Sequence, residues 1–215
     1  MHKWSDDRRY GTLLITAAVV GLFVMAHHPN AHHIVHAANP AGAAQMNRII
    51  HAIAIAAMPI QFLGLLGLTR RLGPSILGQA GLVTQGFGLV AGMGAAVASG
   101  FVASSVTLDM VQAGTSAQPS PLLGYTGLWN QGFAAVYVVA TAISLVLWSV
   151  AMFSSPVFPK ALAWLGIVVG TAVTLWQIFW IQHLGVHEFG LIVLGEAVWM
   201  VWSGVVLIRS TTASS

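Results

Sequence analysis

Five histidines lie within the sixteen residues "MAHHPNAHHIVHAANP", which run from 25 to 40, although the whole chain contains only nine. A second pair, His183 and His187, has the spacing H-x-x-x-H. Histidines four residues apart on a helix can bind one metal ion through two imidazoles. Because neutral imidazole suits zinc, copper, iron and nickel, these spacings predict a transition-metal site.

The histidine-rich segment, residues 27–40, contains signals for a short helix over 29–38. Pro29 suits the first turn of such a helix, and Asn39 followed by Pro40 suits its end. Histidines at every fourth position would share one face of this helix, and they could equally face water and lipid headgroups. Those at i, i+4 and i+8 are His28, His32 and His36.

Two ionisable residues lie inside long apolar runs. An ionisable group within a membrane span is costly and is functional by default. His51 lies about one turn into its run, three residues after Arg48, and Glu196 lies deeper in the last run. Glu196 is the candidate catalytic residue, and it requires a proton, a cation or a hydrogen-bond donor. The candidate partners are Arg48, His51, Gln61, Asn130 and Gln131.

The composition indicates a membrane protein rather than a soluble one. Hydrophobic residues make up 57% of the 215 residues and charged residues only 6%, whereas soluble domains carry about 25% charged residues. The chain has no cysteine, which excludes disulfides, cysteine-based zinc sites and iron–sulfur clusters. We therefore expect the lipid bilayer to surround this chain, and we expect no nucleic-acid partner.

Six segments are long and apolar enough to cross a bilayer as helices. They are residues 10–27, 47–68, 76–99, 129–152, 161–181 and 188–208. We predict an all-α polytopic membrane protein, with one domain over 1–209, a long periplasmic loop over 100–128 and a disordered tail over 210–215. The first segment is predicted to stay uncleaved, because no convincing small-residue cleavage site follows Met25.

The basic residues set the orientation of these six spans. Seven of the eight Lys and Arg residues fall on the side that holds both termini, and only Arg48 falls on the other. Cytoplasmic loops carry the excess of Lys and Arg, so both termini are predicted to be cytoplasmic. Eight of the nine histidines then fall at the outer face, which predicts one outward-facing polar site.

The motifs of this chain resemble those of a group of small bacterial inner-membrane proteins with no settled activity. The resemblance rests on "MAHHP", "RIIHAI" and "HEFGLIVLGEAVWMVWSGVVLIR", which give the pattern HHP, RxxH and a final H-x-G over nearly the whole chain. It implies six helices and a place in the bacterial inner membrane, and it implies no particular activity.

The leading hypothesis is a transition-metal site, of copper or zinc, at the periplasmic face. It would serve metal handling or a metal-dependent reaction. The predicted ligand pool is His28, His32, His36, His51, His183 and His187. Three alternatives remain. His51 and His187 could be axial ligands of a b-type haem in electron transfer. The chain could be a non-catalytic subunit of a larger membrane complex or a homo-oligomer, or a proton-coupled device that uses Glu196 and His51.

Overall fold

The computed structural model describes residues 6–28, 31–179 and 185–210, with the backbone alone at 31–33, and the described residues are all helical or in connections. Within these described ranges, six helices are long and apolar enough to cross a membrane, as the sequence predicted. In chain order the elements are α1 (Asp6–Ala26), α2 (Ala31–His36), α3 (Pro40–Arg71), α4 (Ile76–Ala96), a π-helix (Val97–Ala103), α5 (Ser104–Gln112), α6 (Pro121–Met152), α7 (Lys160–Phe179) and α8 (Val186–Ser210).

The segment 100–128, predicted as a loop, is mostly helical. The third span continues without interruption from α4 through the π-helix into α5 and ends at Gln112. Helix α6 begins eight residues before the predicted Trp129, because Ser120 caps it and Pro121 occupies its first turn. Only residues 113–120 connect the two helices. Of the predicted tail 210–215, Ser210 ends α8, and the other residues lie outside the described part.

The pair Asn39–Pro40 starts a helix, whereas the sequence analysis assigned it to the end of one. The Asn39 side chain accepts a hydrogen bond of 3.0 Å from the Gly42 backbone N–H, and Pro40 is the first residue of α3. Pro lacks the N–H that a first turn leaves unpaired, so it favours this position. Helix α2 is consequently shorter than predicted and ends at His36.

The long helices close into a ring in chain order. Each packs against the next along the chain, and α8 packs back against α1. The closing contact depends on small residues that let the two backbones approach. A Cβ on Gly11 would lie 2.5 Å from the Gly204 carbonyl oxygen, and one on Gly204 would lie 2.7 Å from the Gly11 carbonyl oxygen.

The two ends of the ring differ in charge and packing. At one end, which we call the basic end, Arg70 donates to the Tyr10 hydroxyl at 2.6 Å, and Arg71 pairs with Asp7 at 3.6 Å. The half of the ring next to it, which we call the closed half, is packed mainly with apolar side chains, among which lie a few buried hydroxyl groups. The largest of these apolar side chains are Leu14, Leu65, Leu68, Trp148, Met152, Leu162, Trp199 and Leu207. The opposite end carries the described histidines, and we call it the histidine end.

Candidate functional site

A cavity of about 180 Å³ lies in the centre of the ring. It begins at His28 and Gly185, where α1 ends and α8 begins, and it extends to Gln61 and Tyr137. His51 and Gln61 both line it and are ten residues apart on α3, which corresponds to about 15 Å along the helix. Its volume exceeds the ~150 Å³ cavity that accommodates benzene in another protein. The cavity can therefore hold a small ligand.

Polar groups lie at both ends of this cavity and apolar groups lie between them. The polar side chains at the histidine end belong to α1, α3, the π-helix and α6: His28, His51, Ser99, Asn130 and Gln131. The middle is lined by small and apolar residues, and two methionines, Met25 and Met58, also line the cavity. Such a lining of apolar groups with a few polar ones is typical of a ligand site.

Two histidines meet at the histidine end of the cavity. The rings of His28 and His51 lie edge to face, with their centroids 4.9 Å apart. His51 is buried, and its Nδ1 lies 2.8 Å from the Asn47 carbonyl oxygen. Because a carbonyl oxygen can only accept, Nδ1 carries the hydrogen and donates it. The neutral ring then keeps a lone pair on Nε2, which is the usual arrangement of a metal-binding histidine.

The π-helix positions His51. It brings Gly100 against the His51 side chain, so closely that a Cβ there would lie 2.9 Å from Nδ1 and closer still to Cβ and Cγ. A π-helix leaves carbonyl groups without their usual partners, and such segments are frequent at functional sites. The Asn47 amide donates to the Ser99 carbonyl oxygen at 3.4 Å and to the Ser104 hydroxyl at 2.5 Å. Asn47 therefore fixes both the π-helix and the start of the His51 turn.

Glu196 lies behind the other end of the cavity, 4% exposed, where it bonds to Gln61 and Tyr137 of the cavity wall. Its Oε1 accepts from the Gln61 amide at 2.7 Å and from the Gln85 amide at 3.4 Å. Its Oε2 accepts from the Tyr137 hydroxyl at 2.7 Å. The Gln85 amide also donates to the Thr141 hydroxyl at 3.2 Å. These five side chains, which we call the carboxyl network, connect α3, α4, α6 and α8 across the centre of the ring.

The structure brings together only part of the predicted ligand pool. His28 and His51 converge on the cavity, whereas His36 and His187 are exposed and do not line it. The side chain of His32 and all of His183 lie outside the described residues. Within the described part of the chain, no three His, Asp or Glu side chains form a group able to hold a metal ion. The pairing of His51 with His187, required for the haem alternative, receives no support from this placement.

Of the predicted partners of Glu196, one contacts its carboxyl group and others lie elsewhere. Gln61 bonds to the carboxyl group, whereas Arg48 donates to the Ser105 hydroxyl at 3.0 Å. Asn130 and Gln131 line the cavity near its histidine end. Sequence reasoning missed Tyr137 and Gln85. Tyr137 and Thr141 are four residues apart within an apolar helix, and this polar i, i+4 pair was the available signal.

No protein-family model, no curated protein and no solved structure matches this chain. The assignment of a function consequently depends on the geometry of the cavity and on the charge distribution along the chain.

Proposed function

We propose that this chain is a multi-pass protein of the bacterial inner membrane that binds one copper(I) ion in its central cavity, for copper handling. The observation that supports this most directly is the His28–His51 pair. The Nδ1–H of His51 donates to the Asn47 carbonyl oxygen, and the ring of His28 packs against the ring of His51 at the mouth of the cavity.

The donor types at this end of the cavity favour copper(I) over zinc. Met25 lies three residues before His28 and lines the same cavity, so its thioether would be the third ligand beside the two imidazoles. Thioether sulfur is a soft ligand that selects copper(I). Zinc sites require three or four nitrogen, oxygen or thiolate ligands from the protein, and the described residues offer two imidazoles here.

The proposed orientation places the basic end in the cytoplasm and the histidine end outside. The described basic residues at or beside the basic end include Arg8, Arg9, Arg70, Arg71, Lys160 and Arg209. Cytoplasmic ends of membrane proteins carry such an excess of Lys and Arg. The cavity would then take up its ion from the periplasm.

The test is the copper content of detergent-purified protein without an affinity tag of histidines, after reconstitution with copper(I) and removal of excess ion. We expect about one copper per chain, a single-site stoichiometry. His28→Ala and His51→Ala should lose it. His36→Ala and His187→Ala are matched controls that remove exposed imidazoles which do not line the cavity, and they should keep it. Equal copper in all four variants, or none in the wild type, would overturn the proposal.

A further inference from the structure

The carboxyl network connects the cavity with a second set of polar groups in the closed half. Gln61 and Tyr137 line the cavity, and each donates a hydrogen bond to Glu196. The buried carboxyl group is thus one hydrogen bond away from a space that reaches the histidine end. Among the side chains bonded to Glu196 from α3, α4 and α6, Tyr137 is the one that can exchange a proton.

Polar side chains continue beyond Glu196 toward the basic end. On α8, Trp199 and Ser203 follow Glu196 by three and seven residues, and all three are buried. On α6, Ser144 follows Thr141 by three residues, and it is buried as well. These spacings place the polar groups on the inner face of each helix, one or two turns apart.

Several of these polar atoms have no hydrogen-bond partner among the described residues. They are the side-chain amide oxygen of Gln85, the hydroxyl groups of Ser144, Ser149 and Ser203, and the indole nitrogen of Trp199. Buried polar groups without partners are rare, and each one requires an explanation such as a bound water molecule. Five such unpaired polar atoms lie in the centre of one ring, all in the carboxyl network or the closed half. Bound water along the centre of the ring would explain all five.

Two of these groups meet at one point. A Cβ on Gly166 of α7 would lie 2.6 Å from the Trp199 indole nitrogen, and closer to the Ser149 hydroxyl. The absence of a side chain at Gly166 lets the Ser149 hydroxyl and the Trp199 indole nitrogen approach the α7 backbone where α6, α7 and α8 come together. Nearer the basic end, the Trp148 indole N–H donates to the Thr69 hydroxyl and to the Gly78 carbonyl oxygen, both at 3.1 Å. Polar groups therefore extend from the cavity to the last turns of the bundle.

We propose that the centre of the ring is a proton pathway and that Glu196 is its proton carrier. A hydrated proton in the cavity protonates the phenolic oxygen of Tyr137, while Tyr137 passes its own hydrogen to Oε2 of the ionised Glu196. The neutral acid then releases a proton to water held by Ser144 and Ser203. The Tyr137 hydroxyl then rotates so that its new O–H again points to Oε2, which restores the initial state; one proton has entered, one has left, and no residue is oxidised or reduced.

The alternative explanation for buried hydroxyl groups is structural, since serine and threonine pack well between membrane helices. The two explanations differ in what the hydroxyls contact. Packing requires only their small volume, whereas a proton pathway requires their hydrogen-bonding capacity and a carboxyl group that changes its charge. Substitutions that keep volume and remove one of these properties separate the two.

The test is proton flux into liposomes of phosphatidylethanolamine and phosphatidylglycerol that contain the full-length protein, purified metal-free with a chelator. A potassium diffusion potential drives the protons, and a pH-sensitive dye inside the liposomes reports their entry. We expect a flux above that of protein-free liposomes, lost in Glu196→Gln and reduced in Tyr137→Phe. Asp109→Asn is the matched control, because it converts an exposed carboxyl group of α5 to an amide and should leave the flux unchanged.

The double substitution Ser144→Ala with Ser203→Ala tests the closed half, and it should also reduce the flux. A single symmetric peak in gel filtration and an unchanged unfolding midpoint in detergent separate a loss of pathway from a loss of fold in each variant. Wild-type flux equal to that of empty liposomes would overturn the proposal. So would full flux in Glu196→Gln, or full flux in the double serine variant. Since the protein is metal-free, this outcome is independent of the copper proposal.

Discussion

Replacing Gly100 by Ala tests whether the π-helix positions His51. A Cβ at this position would lie 2.9 Å from Nδ1 of His51 and closer to its Cβ and Cγ. The Cβ atom of His51 is fixed to the backbone of α3, so rotation of the side chain cannot relieve the overlap. The substitution must therefore move the π-helix away from α3, or shift the α3 backbone at His51. A backbone shift would displace the imidazole and weaken its hydrogen bond to the Asn47 carbonyl oxygen.

The expected cost of this overlap is about 1–3 kcal/mol, the range for an extra methyl group in a well-packed core. If the imidazole is displaced, the same energy lowers the copper affinity by about 5- to 150-fold. Gly132→Ala is the matched control, because Gly132 is a helical glycine with no atom within 4 Å of the new Cβ. It should be neutral or stabilising by up to about 1 kcal/mol.

Both quantities can be measured on the same detergent-solubilised protein. Unfolding by increasing concentrations of a denaturing detergent gives the free energy of unfolding. Competition with a copper(I) chelator gives the copper affinity. We expect Gly100→Ala to fall below both the wild type and Gly132→Ala in each measurement. If Gly100→Ala and Gly132→Ala have equal stability and equal affinity, the π-helix does not position His51 and this reasoning is wrong.

Three further predictions follow from the same contacts. In a chain without cysteine, a membrane-impermeant maleimide should label Ala38→Cys in intact cells but Ser154→Cys only after lysis, and the reverse pattern would invert the orientation. Asn47→Ala should destabilise the protein by about 1–3 kcal/mol, because the buried Ser104 hydroxyl loses its donor; an unchanged unfolding midpoint would contradict this. Trp148→Phe keeps an aromatic side chain but removes the indole N–H and part of the buried volume, so it should cost at least as much in the same unfolding assay.

The elements that position the site were largely evident in the sequence. Lipid forces every backbone polar group to be satisfied within a helix, so long apolar runs gave six helices at nearly the right places. The high cost of an ionisable group inside a long apolar span selected His51 and Glu196. His51 lines the cavity, and Glu196 bonds to two residues that line it. Their selection needed no knowledge of how the helices are arranged.

The arrangement of partners was not evident, because it depends on which helix faces meet. Arg48 and Gln61 were equally reasonable partners for Glu196, and only the ring order puts Gln61 beside it. The π-helix was missed because its residues, "VASGFVA", have the composition of an ordinary apolar helix. The short distance between Gly100 and His51 explains why glycine is required there, yet glycine alone does not predict it.

Histidine spacing was the least reliable signal. The repeat of His28, His32 and His36 suggested one helical face, but α2 begins after His28 and His36 is exposed. His28 instead faces α3, since it follows the end of α1 and contacts His51 there. The pair that converges was thus formed by two separate elements, which a spacing along one helix cannot reveal.

X-ray absorption at the copper edge of the copper(I)-loaded protein tests the central proposal most directly, because it counts and identifies the ligand atoms. The donors at the cavity predict a first shell of two imidazole nitrogens and one thioether sulfur, with the sulfur lost in Met25→Leu, whereas His51→Ala should retain no copper to measure. A shell of three or four imidazoles without sulfur would contradict it, since such a shell requires histidines other than His28 and His51.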